Sequence, residues 1–309
     1  MTTTSGTLPT RIPARRRLGL SRREAIVGYT LLSPWLIGFL VFTLGPMIAS
    51  LYFSFCDYKV IKPPRLIGLA NYQRMLADDL FYKSLTVTAK YTFASVPLGI
   101  VVALFVAVLL NQRIWGVRVF RTIFYLPSVV SGVAVSLVFA WIFNYRFGII
   151  NFVLGLLGIR GPDWLGRPAW ALWAFVLMSL WGVGGNMVIL LAGLQGVPVS
   201  LHEAAQIDGA SAWKRFWSIT VPMISPAILF ITIMSVIGSF QVFTQAYIMT
   251  GGGPANATLF YLLYLYRNAF NWFEMGYASA LAWVLFVIIL ACTLITMRGS
   301  QGLVHYEGA

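Results

Sequence analysis

From residue 25 to residue 56 the chain runs for 32 residues without a charged side chain. A helix crosses the hydrocarbon core of a bilayer in about 20 residues, so this run spans with tilt or overshoot. Pro34, Gly45 and Pro46 are its expected kink points, which membrane helices tolerate. Further long apolar runs occupy residues 91–112, 122–145, 170–194, 221–249 and 275–297. Together they predict an all-α integral membrane protein with six transmembrane helices. Two more apolar stretches, 147–159 and 258–266, are too short to span. The first reads as an interfacial helix, and the second, carried through Asn271, as an external amphipathic helix. Only 10% of residues are charged and 59% are hydrophobic, against nearer 25% charged in a soluble domain. The deficit runs along the length of the chain, which excludes a soluble domain on an anchor.

The formal net charge of +13 does not point to nucleic acid, because the basic residues gather at the ends of the apolar runs, where the positive-inside rule places them. With six spans, one side of the membrane collects twelve Lys and Arg and the other nine. Six of the twelve (Arg11, Arg15, Arg16, Arg17, Arg22 and Arg23) precede the first span, where orientation is most sensitive. Both termini are therefore expected in the cytoplasm, with the connection between the fourth and fifth spans on the same side. Residues 1–24 read as a disordered basic tail, not a cleaved signal, since the apolar run that follows is too long for one. Lys90 is expected to mark the outer end of the second span.

The sequence also limits the chemistry. No Lys follows a Gly, so no P-loop exists and the chain is not expected to hydrolyse ATP. No cofactor or metal is expected, as His202 and His305 are the only histidines. Cys56 and Cys292 fall near opposite ends of their spans, which argues against a disulfide. All nine Asp and Glu lie outside the proposed spans, which disfavours a proton relay. Inverted repeats of the kind found in secondary transporters are not visible either. The energy for any transport is then expected from a partner.

One polar stretch stands out among the apolar runs, from Pro198 to Trp217. Ser200 is placed to cap a short helix, and Glu203 three residues on would complete a capping box. Ala204 and Ala205 favour helix, and Gly209 gives the backbone freedom to break and restart. Glu203-Ala204-Ala205, then Asp208-Gly209-Ala210, then Ile219 and Pro222, resemble the cytoplasmic loop of the membrane subunits of ATP-binding-cassette importers, most closely the carbohydrate permeases. His202 departs from the aromatic residue usual there. Gly68-Leu69-Ala70-Asn71-Tyr72, Asp163-Trp164-Leu165-Gly166, Gly251-Gly252-Gly253-Pro254 and Met275-Gly276-Tyr277-Ala278 are similar to the same family, so the resemblance covers residues 25–298.

The resemblance implies that the short helix is a coupling helix docking on a separate ATP-binding subunit, with Glu203, Ala204, Ala205, Asp208, Gly209 and Ala210 as coupling residues. It implies two ATP-binding subunits, a second and different permease chain, and an extracytoplasmic solute-binding protein. ATP would be bound by the partners. The domains expected are a basic tail at 1–24, the transporter domain at 25–298 with its coupling region at 198–218, and a cytoplasmic tail at 299–309. A sugar is the implied solute, with a glycerol phosphodiester or polyol as the alternative within the same architecture. Ser179, Gly182 and Asn186 recur on one helical face, as do Gly238, Gln241 and Gln245 with Ser239 beside them. Uncharged hydroxyls and amides there would either line a path for a hydroxyl-rich solute, with Trp181, Phe240 and Phe243 stacking on it, or bond helix to helix.

Overall fold

The computed structural model describes residues 17–112, 115–300 and 302. The chain divides into two compact units at the Tyr52–Phe53 boundary. The first is the N-terminal helix, α1 (Arg17–Phe39), which passes through a π-turn at Leu40–Leu44 into α2 (Gly45–Ser54). Pro46 has no N–H to offer the regular ladder, and the helix widens just before it, with the Gly45 N–H donating to the Leu40 carbonyl five residues back. The helix already runs from Arg17 through Arg22, Arg23 and Glu24, so the last part of the expected disordered tail is ordered. Residues 1–16 of that tail, Arg113, and residues 301 and 303–309 of the C-terminal tail lie outside the described residues.

The second unit is helical apart from one antiparallel pairing of Cys56–Asp57 (β1) with Arg65–Leu66 (β2). After α3 (Ala70–Leu76) comes α4 (Asp79–Leu110), a helix of 32 residues and the axis of the unit. It begins twelve residues before the expected second span. Asp78 starts it, its Oδ1 accepting from the N–H of Leu80 at 2.9 Å and of Phe81 at 3.4 Å. Lys83 and Lys90 are exposed side chains seven residues apart within α4, so Lys90 does not mark a helix end.

Two expected spans are bent. α5 (Val117–Tyr125) and a 3-10 turn at Leu126–Val129 meet α6 (Gly132–Ile142) at 99°. Pro127 and the extended backbone of Val130 and Ser131 break the ladder there. α8 (Pro168–Trp181) and α9 (Gly184–Gly196) meet at 47° around Gly182. The breaks touch: a Cβ on Gly184 would run into the Phe124 carbonyl and lie 2.9 Å from the Tyr125 Cα. Between them α7 (Ile149–Leu156) is a short helix, in the place expected for an interfacial one. Among the described residues four helices are long and apolar enough to cross a membrane, and up to six if each bent pair counts as one span.

The chain then makes α10 (Val199–Ile207), α11 (Ala212–Arg215), α12 (Val221–Met223), α13 (Ser225–Phe240), α14 (Thr244–Met249), α15 (Tyr261–Tyr266) and α16 (Met275–Ser300). A π-turn at Arg267–Asn271 prolongs α15 to the residue at which the expected external helix ends. One core gathers Phe81, Tyr91, Phe175, Phe260, Tyr261 and Leu281 from α4, α8, α15 and α16. A second joins α4 to α9 and α13 through Ala103, Ala107, Met187, Leu190, Ile224 and Ile231. Fully buried Ala103 and Ala107 let the helices approach closely, the usual device where lipid removes the hydrophobic drive for association. Arg121 of α5 donates from Nη2 to the Leu110 carbonyl at 2.9 Å, a cation at the C-terminal end of α4. Cys56 is buried and Cys292 half-buried, and no disulfide joins them.

Candidate functional site

The polar stretch between α9 and α13 folds as two short helices around one turn. Pro198 occupies the N-cap of α10 in extended geometry, so Ser200 falls inside the helix and no side chain caps it. The capping box of Ser200 and Glu203 is therefore not formed, and Glu203 is exposed. The C-terminus is closed by backbone. Gly209 sits at φ +76, its N–H donates to the Gln206 carbonyl at 3.0 Å, and the Ala210 N–H donates to the Ala205 carbonyl at 2.9 Å. This is a Schellman motif, and its left-handed residue is the position where glycine has no Cβ penalty.

Ser211 then caps α11, its Oγ accepting from the Lys214 N–H at 3.3 Å. Arg215 turns back onto α10. It donates to the Ala210 carbonyl at 3.1 Å, and with the Gln206 amide turned so that its oxygen faces the guanidinium, that oxygen accepts from both terminal nitrogens at 3.2 Å. Arg215 therefore braces the two helices as one body. No role was expected of Arg215 from sequence; its place nine residues after Gln206 becomes a contact only once the turn at Gly209 folds the chain back. His202 and Arg215 share a cavity of about 430 Å³ with Asn111 and Gln112 at the C-terminal end of α4. The other side of the connection is open: Val199, Leu201, Ile207 and Trp213 are exposed, Ile207 at 88%. Apolar side chains clustered beside Glu203 and Asp208 are the surface expected of a protein contact.

The uncharged polar residues do not form the two faces expected of them. Ser179 ends α8 and donates to the Val176 carbonyl at 2.7 Å, while Asn186 lies beyond the bend on α9 and donates to Ser235 Oγ on α13 at 3.2 Å. Ser239 is buried and shares a 2.9 Å hydrogen bond with Thr92 of α4. Gln241 follows α13, exposed, and Gln245 lies past the break on α14. The periodicity failed because each face assumed an unbroken helix. Phe240 is buried in the core and is not available to stack on a solute. Trp181 is exposed and edge-on to Phe139 at 5.6 Å, and Phe243 stacks on Tyr247 at 5.5 Å.

A third cluster lies where α3, α4, α15 and α16 meet. The second carboxylate oxygen of Asp78 accepts from the hydroxyls of Tyr264 and Tyr277. Arg74 pairs with Glu274 at 2.7 Å and lies 4.3 Å over the Tyr277 ring. Burial by itself pushes the Asp78 carboxyl up, but the two tyrosine hydroxyls and the N–H groups of Leu80 and Phe81 outweigh it and hold the carboxyl below its ordinary value. Burial and the neighbouring carboxylate push the Tyr264 hydroxyl up to about 12, so it stays a donor at neutral pH. The bond to Glu274 raises Arg74 further.

The sequence matches the family model described as "Binding-protein-dependent transport system inner membrane component" over residues 95–303. It is 46% identical to the "Probable ABC transporter permease protein YesP" of Bacillus subtilis, over 93% of this chain and 94% of that protein. It is 36% identical to the "Trehalose/maltose transport system permease protein MalF" of Thermococcus litoralis, over 90% and 95% respectively. Among solved structures, one chain of a bacterial ABC transporter involved in the import of the acidic polysaccharide alginate superposes with a TM-score of 0.81. That match covers 94% of this chain and all of the other at 22% identity, a likeness of fold.

Proposed function

The chain belongs to the family of binding-protein-dependent transport system inner membrane components, and from that premise we propose that it is a permease subunit of an ATP-driven sugar importer. The observation that carries this reading is the α10–α11 connection. It is an exposed helix ending in a glycine turn, braced by Arg215 and presenting Glu203 and Ile207 outward. Such a rigid, surface-mounted body transmits a push, because its two helices move together. We assign it as the coupling helix, with Glu203, Ala204, Ala205, Asp208, Gly209 and Ala210 meeting an ATP-binding subunit. Closure of two such subunits on ATP would move the connection, and with it α9 and α13, so that the path opens alternately to either side.

In this reading the bent pairs α5–α6 and α8–α9 each complete one span, giving six. Both termini and the coupling region 198–218 lie in the cytoplasm, and residues 25–298 form the transporter domain between the two tails. A second, different permease chain completes the path, and an extracytoplasmic binding protein delivers the solute. Sugar is favoured because relatives carry names such as trehalose/maltose, multiple sugar-binding and arabinooligosaccharides transport system permease. The exposed amide of Gln241 and the half-buried amide of Gln245 are the path residues best placed to bond hydroxyl groups. A glycerol phosphodiester or polyol would be taken by the same architecture.

The test is co-purification from the native membrane. Recovery of an ATP-binding subunit, a second permease and a binding protein whose ligand is a sugar is the expected outcome. Recovery of this chain alone, active in liposomes without ATP, would overturn it. A thiol introduced by Ser5→Cys should label only from the cytoplasmic side.

A further inference from the structure

We propose that the cavity between the end of α6 and α7 binds the headgroup of an anionic phospholipid of the surrounding bilayer. The cavity holds about 580 Å³ and is lined by Arg146 and Arg160, by no acidic side chain, and by Trp141, Tyr145, Phe147 and Phe152. That volume lies in the range of small-molecule sites. Among the described residues, neither guanidinium is paired with a carboxylate.

The cavity is built, not incidental. Asn151 of α7 donates to the Tyr145 carbonyl and to the Pro162 carbonyl, both at 3.1 Å, and its own side-chain oxygen accepts from Trp164 Nε1 at 2.8 Å. One amide therefore ties the segment bearing Arg146 to the segment bearing Arg160. Gly161 fits against this bracket, and a Cβ there would collide with the Asn151 amide.

The chemistry of the occupant follows from the two ends of the site. Two guanidiniums lining one cavity, neither paired with a carboxylate among the described residues, suit a phosphate, which takes their N–H groups in pairs. The rest of the site is apolar and aromatic. Phe152, Val153, Leu156 and Leu157 along α7 are exposed, Leu156 at 72%. A short helix with exposed apolar residues, arginines at both ends and an adjoining Trp and Tyr has the composition of an element lying in the membrane interface. An acyl chain then has Phe152 and Trp141 to run along while the phosphate meets the arginines. The proposal rests on the chain lying in a membrane and not on which solute it carries.

The experiment uses the assembled transporter in nanodiscs of equal parts phosphatidylglycerol and phosphatidylcholine. Lipid retained after extraction is then read by native mass spectrometry. Phosphatidylglycerol should be enriched over phosphatidylcholine, and Arg146→Gln and Arg160→Gln should each reduce the enrichment about fivefold. Asn151→Ala should reduce it with both arginines present, and Arg118→Gln, which does not line the cavity, should not. Equal retention of the two lipids by the unaltered protein would overturn the proposal. So would undiminished enrichment in the doubly substituted protein, or a double substitution that loses only an acidic protein partner. If the double variant fails to assemble, the single substitutions decide.

Discussion

Asp78 and Tyr277 lie 199 residues apart and are joined by a hydrogen bond of 2.5 Å. The tyrosine stands at the beginning of α16 and the carboxylate caps α4, so this bond and its companion from Tyr264 pin the ends of three helices together. The carboxyl is held below its ordinary value, which fixes the sign of its effect. Its contribution to stability is complete above about pH 4, the ordinary aspartate value, and is lost as pH falls from there through the depressed folded value. Asp78→Asn should remove this acid limb from a thermal-melt profile and cost about 1–3 kcal/mol at neutral pH. An unchanged profile would show that the carboxylate is not linked to folding.

Glu203 is exposed, and among the described residues its side chain caps no end of α10. Glu203→Lys should leave thermal stability within about 0.5 kcal/mol while lowering solute-dependent ATP hydrolysis of the assembled transporter at least tenfold. Full activity in that variant would remove Glu203 from the coupling surface.

Gly209 acts differently, through backbone. Gly209→Ala forces a side chain into the left-handed region at a cost of about 1–2 kcal/mol and should loosen the turn that Arg215 braces. Hydrogen exchange should rise in residues 199–215 and not in α4. Uniform exchange across both would show that the turn does not hold α10 and α11 together as one local unit.

Asn186 and Gln241 separate two roles that sequence could not. Asn186 bonds Ser235 across two helices, so Asn186→Ala should cost about 0.6 kcal/mol and change solute affinity little. Gln241 is exposed and bonded to its own helix only through backbone, so Gln241→Ala should leave the melting temperature alone and raise the KM for uptake. The reverse pattern would exchange their roles.

Gly184 sits where the two bends meet. A methyl group there presses on the Phe124 carbonyl, and backbone cannot step aside as a flexible side chain can. Gly184→Ala should destabilise by about 1–3 kcal/mol, measured by thermal denaturation in detergent. Gly185→Ala, with open space around it, should not.

The long apolar helices were legible because their signal is local. The run at 275–297 became α16, and the helix from Tyr261 is carried to Asn271, the residue at which it was expected to end. Charge misled at the start of α4: Lys90 was expected to mark the outer end of the span, yet it rides with Lys83 as an exposed side chain within a helix that Asp78 had already begun. The faces drawn through Ser179 and Asn186, and through Gly238 and Gln245, assumed straight helices, and periodicity carries no information across a break. In the α10–α11 connection the glycine turn was readable from Gly209, whereas the capping box was lost because Pro198 took the N-cap two residues before Ser200, where the Ser-x-x-Glu spacing required it. The Asp78 cluster could not be read at all, since its members lie about 190 to 200 residues apart.

The beginning of α16 is stitched to the segment that follows α2. The Gly276 N–H donates to the Tyr58 carbonyl at 3.1 Å, and a Cβ on Gly276 would meet the Cys56 carbonyl. Asn71 meanwhile ties the Ser54 and Cys56 carbonyls from the other direction. The consequence concerns biogenesis. Residues 54–58 emerge early, yet their last neighbour is made more than two hundred residues later, so this seam stays open through most of synthesis. Until the final helix arrives, the inserted helices wait with an unfinished edge, and quality control in the membrane has a defined feature by which to tell a truncated chain from a completed one.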